Sequence, residues 1–366
     1  MPGHRIQQAE DAASAALGDA GLLGEAIDGI CVDPAGEHLF AWNPDDYRVF
    51  ASSLGVRAAV QYGQRTSGPA GGVIDAMLLV GSGLCRHVLC LTVPGASRLT
   101  ADGLRLVSGA VRPRRPWTSS AMNRTASRAA RYLDRYGLGR EPLGWVAIAA
   151  RRHAAGNPDA VCRAPLDIDS YLAATPLSNP LGPFDLGPRC DQAIAVVVSA
   201  RTEALLTRRP IWVNAVSAPH QRSTWRRAES HPADINGSRV GAELWQRASL
   251  SVADVDFVGL DDTYSFNILA WLEELGFCDR GGAADFVRGG TRIGPDGVLP
   301  VNPDGGQLNS GPCNSYSNIR EAVVQLRGEA DTRQIPSARV AVVSSGTPER
   351  GTAMVLTREC SIHPGH

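Results

Sequence analysis

Two stretches 228 residues apart in this 366-residue chain follow the same plan. Leu17 to Leu22 runs into Ile27-Asp28-Gly-Ile-Cys-Val32-Asp33. Trp245 to Leu250 runs into Val255-Asp256-Phe-Val-Gly-Leu260-Asp261. Each reads as the end of an amphipathic helix, a short turn and an apolar strand. A second pair follows in the same order. Gly71 to Gly83, a helix of small residues, leads into the strand Val88–Val93, and the helix Ile319 to Gly328 leads into the strand Arg339–Val343. Strands joined by helical crossovers build parallel sheet. The repeat therefore predicts two α/β halves, each with its own largely parallel sheet.

Between the repeats the texture changes. Val111–Ser120 is rich in Pro and Arg and reads as a loop. Ala126–Tyr136 and Gly144–His153 have helical character, and Thr175 to Arg189 carries four Pro and two Gly, so it is irregular chain. Ala193–Ser199 reads as a buried strand. Pro210–Val216 is a further strand that opens the second half. The stretch between is too long for a simple connection. The expected division is a first half over residues 1–205, with a loop domain at about 112–190, and a second half over 206–366.

Composition narrows the chemistry. All 36 basic residues are Arg, with no Lys anywhere. A Schiff-base mechanism, a pyridoxal phosphate anchor and a P-loop each need a lysine, so all three are excluded. The net charge of −1 gives no nucleic-acid footprint. No apolar run reaches the roughly 18–20 residues that span a bilayer. Met1–Glu10 has no signal-like apolar core. The eight Cys are scattered singly and the eight His show no metal spacing. A reduced, cytoplasmic protein without a metal is expected.

Several segments then resemble one family. Ala150-Arg-Arg-His-Ala-Ala-Gly-Asn-Pro-Asp-Ala160 is similar to the "RKHAxxNPxA" run of the thiolase-like lipid-transfer proteins. Asn179-Pro-Leu-Gly-Pro-Phe-Asp185 and Cys190-Asp-Gln-Ala193 resemble a further family segment. Leu272 to Cys278, Leu299 to Leu308 and Gln325-Leu-Arg-Gly328 resemble "lEelGfC", "lPvNtxGGxl" and "QLRG". The matches run in order from about residue 10 to 356. The resemblance implies the thiolase fold: two similar α/β halves with layered helices and mostly parallel five-stranded sheets, an inserted loop domain, and a tight dimer.

The family's chemistry transfers poorly. Thiolases attack with a Cys at a helix N-terminus, where the thiol pKa falls and backbone donors hold an oxyanion. The corresponding stretch here, Gly63-Gln-Arg-Thr-Ser-Gly68, has no Cys; Thr66 stands at that position, with Arg65 the neighbouring alternative. Asp261 stands at the His of "HDAF", Pro312 at the His of "GHP", and Ser344-Ser345-Gly346 near the second Cys. The resemblance is close to the steroid side-chain retro-aldolases, which place tyrosines at those two His positions. Here the tyrosines are displaced, to Tyr264 and Tyr316. Tyr264 fits the Phe slot as core, and Tyr316 opens a polar helix start. Cys313, ahead of that start, is a candidate displaced nucleophile with a lowered pKa. Asp261 and Asp262 are paired carboxylates at a strand end. One could serve as a base, and Asp262 could cap the helix beginning near Ser265. His153 reads as structural.

The family begins with a strand before its first helix, whereas this chain begins inside that helix. A start set too late or a rearranged first half would account for that. The resemblance implies binding of a CoA or acyl-carrier thioester, with no tightly bound cofactor, and making or breaking of a carbon–carbon bond without a Cys nucleophile. Asp261 is the expected base and Tyr316 the expected acid, with Tyr264, Cys313 and Thr66 as further candidates. Alternatives are a catalytically silent subunit beside an active paralogue or an OB-fold/zinc-ribbon companion, or a lipid or sterol carrier. The expected assembly is a homodimer or a thiolase-like heterodimer.

Overall fold

The computed structural model describes residues 2–35, 44–56, 60–63, 70–94, 121–188, 190, 192–206, 209–218, 239–311 and 313–360. The first half runs α1 (Pro2–Ala20), β1 (Gly29–Ala35), α2 (Pro44–Ser53), β2 (Val60–Gly63), α3 (Gly71–Gly81) and β3 (His87–Pro94). The inserted segment follows, with α4 (Ala121–Tyr136), α5 (Glu141–Ala155) and α6 (Ile168–Ala173). Then come β4 (Ile194–Ser199), β5 (Trp212–Ser217), α7 (Val240–Arg247), β6 (Phe257–Gly259), α8 (Ser265–Glu274), α9 (Ala283–Phe286), α10 (Gln307–Ser310), α11 (Tyr316–Arg327), β7 (Val340–Ser345) and β8 (Thr352–Thr357).

The described strands form two sheets, ordered β2-β1-β3-β4 and β5-β8-β7-β6. The pairs β1–β2, β1–β3 and β6–β7 are parallel; β3–β4, β5–β8 and β7–β8 are antiparallel. The two-half α/β architecture is as expected, but the sheet detail is not. Among the described residues each sheet has four strands rather than five, and parallel and antiparallel pairs are equal in number. The short 346–351 connection returns β8 directly beside β7, which only an antiparallel pair allows. No gap is left where the family's first strand would lie, because β1 pairs directly with β3 from Gly29↔Val88 to Ala35↔Pro94. β6 pairs with β7 in the same way.

Strand alternation sorts the side chains into layers. Ile30, Val32, Leu89 and Leu91 face α1 and α2, while Cys31, Val88 and Cys90 face α3. In the second sheet Ala341, Val343, Met354 and Leu356 turn toward the same middle layer. Val342, Ala353 and Val355 pack on the other side, with α4, α5, α7 and α8. The result is five layers, helix–sheet–helix–sheet–helix, with α3 and α11 sandwiched in the middle. β4 corrects one expectation. It is an edge strand in which only Ile194 is fully buried, because β3 covers it on one side alone.

The repeat extends to hydrogen bonds. The Asp28 carboxylate accepts from the backbone N–H groups of Arg86 and His87 at 2.9 Å each. The Asp256 carboxylate, its repeat partner, accepts from Arg339 and Val340 at 2.7 and 2.9 Å. Each clamps the entrance of one inner strand to the next. Partial burial raises the Asp28 pKa, but the two backbone donors outweigh it and the net shift is downward. A carboxylate with a lowered folded pKa stabilises above its unfolded value, here 3.8, and loses that contribution as pH falls through the folded value. Asp28→Asn should therefore lower stability at pH 7 and cost less at about pH 3. Asp256→Asn should cost about 1 kcal/mol at pH 7. Urea denaturation at the two pH values checks both.

Candidate active site

The two middle helices start at the same end of the molecule, where the inner strands finish. A buried helix N-terminus leaves backbone N–H groups that need acceptors. The chain supplies a strand-end carboxylate at each. In the first half it is Asp33, turned inward because β1 alternates. Its Oδ1 and Oδ2 accept from the N–H of Gly72 at 3.0 and 3.1 Å. Thr92 Oγ1 donates to the Asp33 carbonyl at 3.2 Å. α3 enters through Ala70 at φ 56, and α11 enters through Ser315 at φ 62, so the two N-caps match as well.

Tyr316 is the first residue of α11 and is fully buried. A Cβ built on Gly72 would stand 3.1 Å from Asp33 Oδ1 and 3.2 Å from the Tyr316 hydroxyl oxygen. Carboxyl and phenol thus meet over a glycine where a methyl would crowd both. The phenol abuts Asp33 without the alignment of a full hydrogen bond, and its oxygen has no other partner. Burial pushes the Asp33 carboxyl up to about 7, against the lowering contacts of Tyr316 and Gly72. Burial, reinforced by the Asp33 charge, holds the phenol well above its ordinary value, so it stays protonated at neutral pH.

Asp261 lies just past the end of β6 and has both oxygens fully used. Oδ1 accepts from Thr263 N at 3.1 Å and Asn267 Nδ2 at 3.0 Å; Oδ2 accepts from Ser315 Oγ at 2.8 Å and Gly346 N at 3.0 Å. It fixes the N-cap of α11, and through it Tyr316. Asn302 holds the segment in place, accepting from Leu260 N at 2.7 Å and donating to Leu260 O at 2.9 Å.

Asp262 does not cap the helix beginning at Ser265. Its oxygens accept from Gln307 N at 3.0 Å and Leu308 N at 3.2 Å, at the start of α10, because the loop carrying Gly306 is folded against it. Burial, then the Asp261 charge, pushes it up to about 7. Tyr264 is the half-buried N-cap residue of α8 and packs on the outer core, away from Tyr316.

Cys313 departs most from its expected character. Two left-handed residues, Asn314 and Ser315, separate it from α11, so it does not sit on the helix N-terminus. Its thiol is buried, lies 2.9 Å from Ser317 Oγ, and is pushed up to about 12 by burial. A lowered thiol pKa is therefore not what the fold provides. Thr66 and Pro312 lie outside the described residues. The structure brings Asp261, Tyr316 and Cys313 to one region and leaves Tyr264 outside it.

The segments that carry the family resemblance hold walls rather than chemistry. His153 Nε2 lies 3.0 Å from the Ile293 carbonyl, and burial lowers its pKa to about 4. Asn157 donates to the Asp304 carbonyl at 2.8 Å. Asp185 accepts from Tyr171 and Ser265. Gln325 binds Glu321, the Arg333 carbonyl and Ile335 N. The sequence reading missed Asp33, although the repeat already set it opposite Asp261. Among the described residues no cluster of His, Cys, Asp and Glu is arranged to hold a metal. No helix there is long and apolar enough to cross a membrane.

Residues 220–358 match the family described as thiolase C-terminal domain-like. The chain is 29% identical over 372 residues to a steroid side-chain-cleaving aldolase of Thermomonospora curvata, covering 96% of this chain and 92% of that one. The solved "Ltp2-ChsH2(DUF35) aldolase" superposes with a TM-score of 0.82 at 26% identity, covering 98% of this chain and 94% of that one. These likenesses support membership of the thiolase superfamily, in its sterol-carrier-like branch. It is also 31% identical over 234 residues to the 17-hydroxy-3-oxo-4-pregnene-20-carboxyl-CoA lyase of Mycobacterium tuberculosis, covering 62% of this chain. That match spans only 60% of the lyase, under two thirds of its length. A monomeric SCP2-thiolase-like protein of Mycobacterium smegmatis, at 17% identity and a TM-score of 0.69, shares the fold.

Cys313 should resist iodoacetamide in the folded protein at pH 8 and react on denaturation, whereas the half-buried Cys162, Cys190 and Cys360 should react first. Peptide mapping of the labelled protein checks this.

Proposed function

We propose that this thiolase-like protein cleaves a carbon–carbon bond in a β-hydroxyacyl thioester, in the manner of a retro-aldolase, with Tyr316 as the proton-transfer group. The observation that carries the reading is the buried Tyr316 hydroxyl at the joint N-termini of α3 and α11, which abuts Asp33 and has no aligned hydrogen bond among the described residues. The relatives' names support the substrate class. A 17-hydroxy, 20-carboxyl-CoA steroid is a thioester with its hydroxyl on the β carbon. Retro-aldol cleavage removes the proton of that hydroxyl, breaks the Cα–Cβ bond and delivers a proton to Cα. No cysteine nucleophile is needed. Asp261 serves by fixing Ser315 and the start of α11. CoA is the favoured thioester carrier. Tyr316 is sealed from solvent here, so substrate entry requires the seam to open.

A companion protein belongs to this proposal. The aldolase solved with ChsH2(DUF35) has the same fold over nearly its whole length, and a second, thiolase-like or OB-fold/zinc-ribbon subunit is the partner class it suggests. One observation favours the silent-subunit reading instead. Asp33, Asp261, Asp262, Cys313 and Tyr316 are each at most 1% exposed.

The test is turnover of a β-hydroxyacyl-CoA, with and without an added OB-fold/zinc-ribbon companion protein, followed by release of the carbonyl product. Tyr316→Phe should lower kcat by about 10²–10⁴-fold, the usual cost of losing an acid or base. Full activity in that variant would sink the assignment. Absence of turnover in every combination, with co-purification of an active paralogue, would establish the silent subunit.

A further inference from the structure

We propose that Asp33 is the proton-holding partner of Tyr316, so that the two halves of the fold each contribute one member of a single proton-transfer pair. The inference rests on the reading of Tyr316 given above and deepens it. Asp33 comes from β1 of the first half and Tyr316 from α11 of the second. The two meet over Gly72, where one Cβ position would lie 3.1 Å from the carboxylate and 3.2 Å from the phenol oxygen. The Gly72 N–H orients the carboxylate without neutralising it.

Among the described residues, the titratable groups that interact with Asp33 are Tyr316 on α11, Asp75 on α3, Cys90 on β3 and Tyr47 on α2. None of these is a cation. Asp75 raises the proton affinity of Asp33, and burial raises it more, to about 7. At neutral pH the carboxyl is therefore divided between its two forms, as a proton reservoir must be.

The step balances without any further reactant. Tyr316 takes the proton of the substrate β-hydroxyl as its own phenolic proton passes to Asp33. The Cα–Cβ bond breaks, its electron pair goes into the thioester enolate, and the β carbon becomes a carbonyl. The enolate carbon then takes a proton from Tyr316, which recovers one from Asp33. Asp33 acts through Tyr316 and need not touch the substrate.

The experiment compares wild type, Asp33→Asn and Tyr316→Phe. For wild type, kcat/KM should rise with pH through a limb near 7. Asp33→Asn should lose that limb and lower kcat by about 10²–10⁴-fold with KM little changed. A second readout needs no turnover: ultraviolet titration of phenol ionisation, with Tyr316→Phe as the reference. Removing the neighbouring negative charge should move Tyr316 ionisation to lower pH in Asp33→Asn. A wild-type rate and an unmoved limb in Asp33→Asn, beside an inactive Tyr316→Phe, would overturn the pair and leave the lyase reading standing. If Tyr316→Phe is itself fully active, the lyase reading falls, and an unchanged phenol titration in Asp33→Asn overturns the pair. Should Asp33→Asn fail to fold, Gly72→Ala, which wedges a methyl between the two groups, replaces it under the same criteria.

Discussion

Two strand-end carboxylates, Asp33 and Asp261, set the centre of this molecule. Each meets the N-terminus of a helix that is buried between two sheets, where water cannot satisfy the leading N–H groups. A buried donor without an acceptor costs about 1–3 kcal/mol, so a middle helix layer needs such acceptors. Asp33 meets the need directly through Gly72 N, whereas Asp261 takes no backbone N–H of α11; it holds the N-cap by accepting from Ser315 Oγ and ties that cap to Thr263 N and Gly346 N. The five-layer packing, the matched left-handed N-caps and the meeting of the halves all depend on this arrangement.

The same device separates two carboxylates that the repeat makes equivalent. Asp261 receives four donors and is a clamp. Asp33 receives one N–H and faces a phenol, and burial raises its pKa. Equivalent positions in the chain thus acquire different chemistry because their surroundings differ. On the retro-aldolase reading proposed above, the asymmetry would provide one group that holds still and one that exchanges a proton.

Much of the fold was legible. Periodicity located α3, α4, α5, α11, β1, β3 and β7, and the repeat aligned Asp28 with Asp256, which the structure shows to be equivalent clamps. The site was less legible. Tyr316 could be singled out because it opens a polar helix start. Cys313 was misjudged because two residues with positive φ intervene before the helix, a turn no spacing rule announces. Asp262 was assigned to the nearer helix because sequence shows adjacency, while its real partners are 45 and 46 residues away.

By itself the sequence determined the two-half α/β plan, the family resemblance and the absence of lysine chemistry, since repeats, ordered motifs and residue counts are properties of the chain alone. Only the tertiary structure decided that β1 pairs with β3, that β4 is an edge strand, and that Asp33 meets Tyr316 over Gly72. The reason is physical. Pairing, burial and proton affinity depend on what lies across space, and Asp33 and Tyr316 come from different halves of the chain.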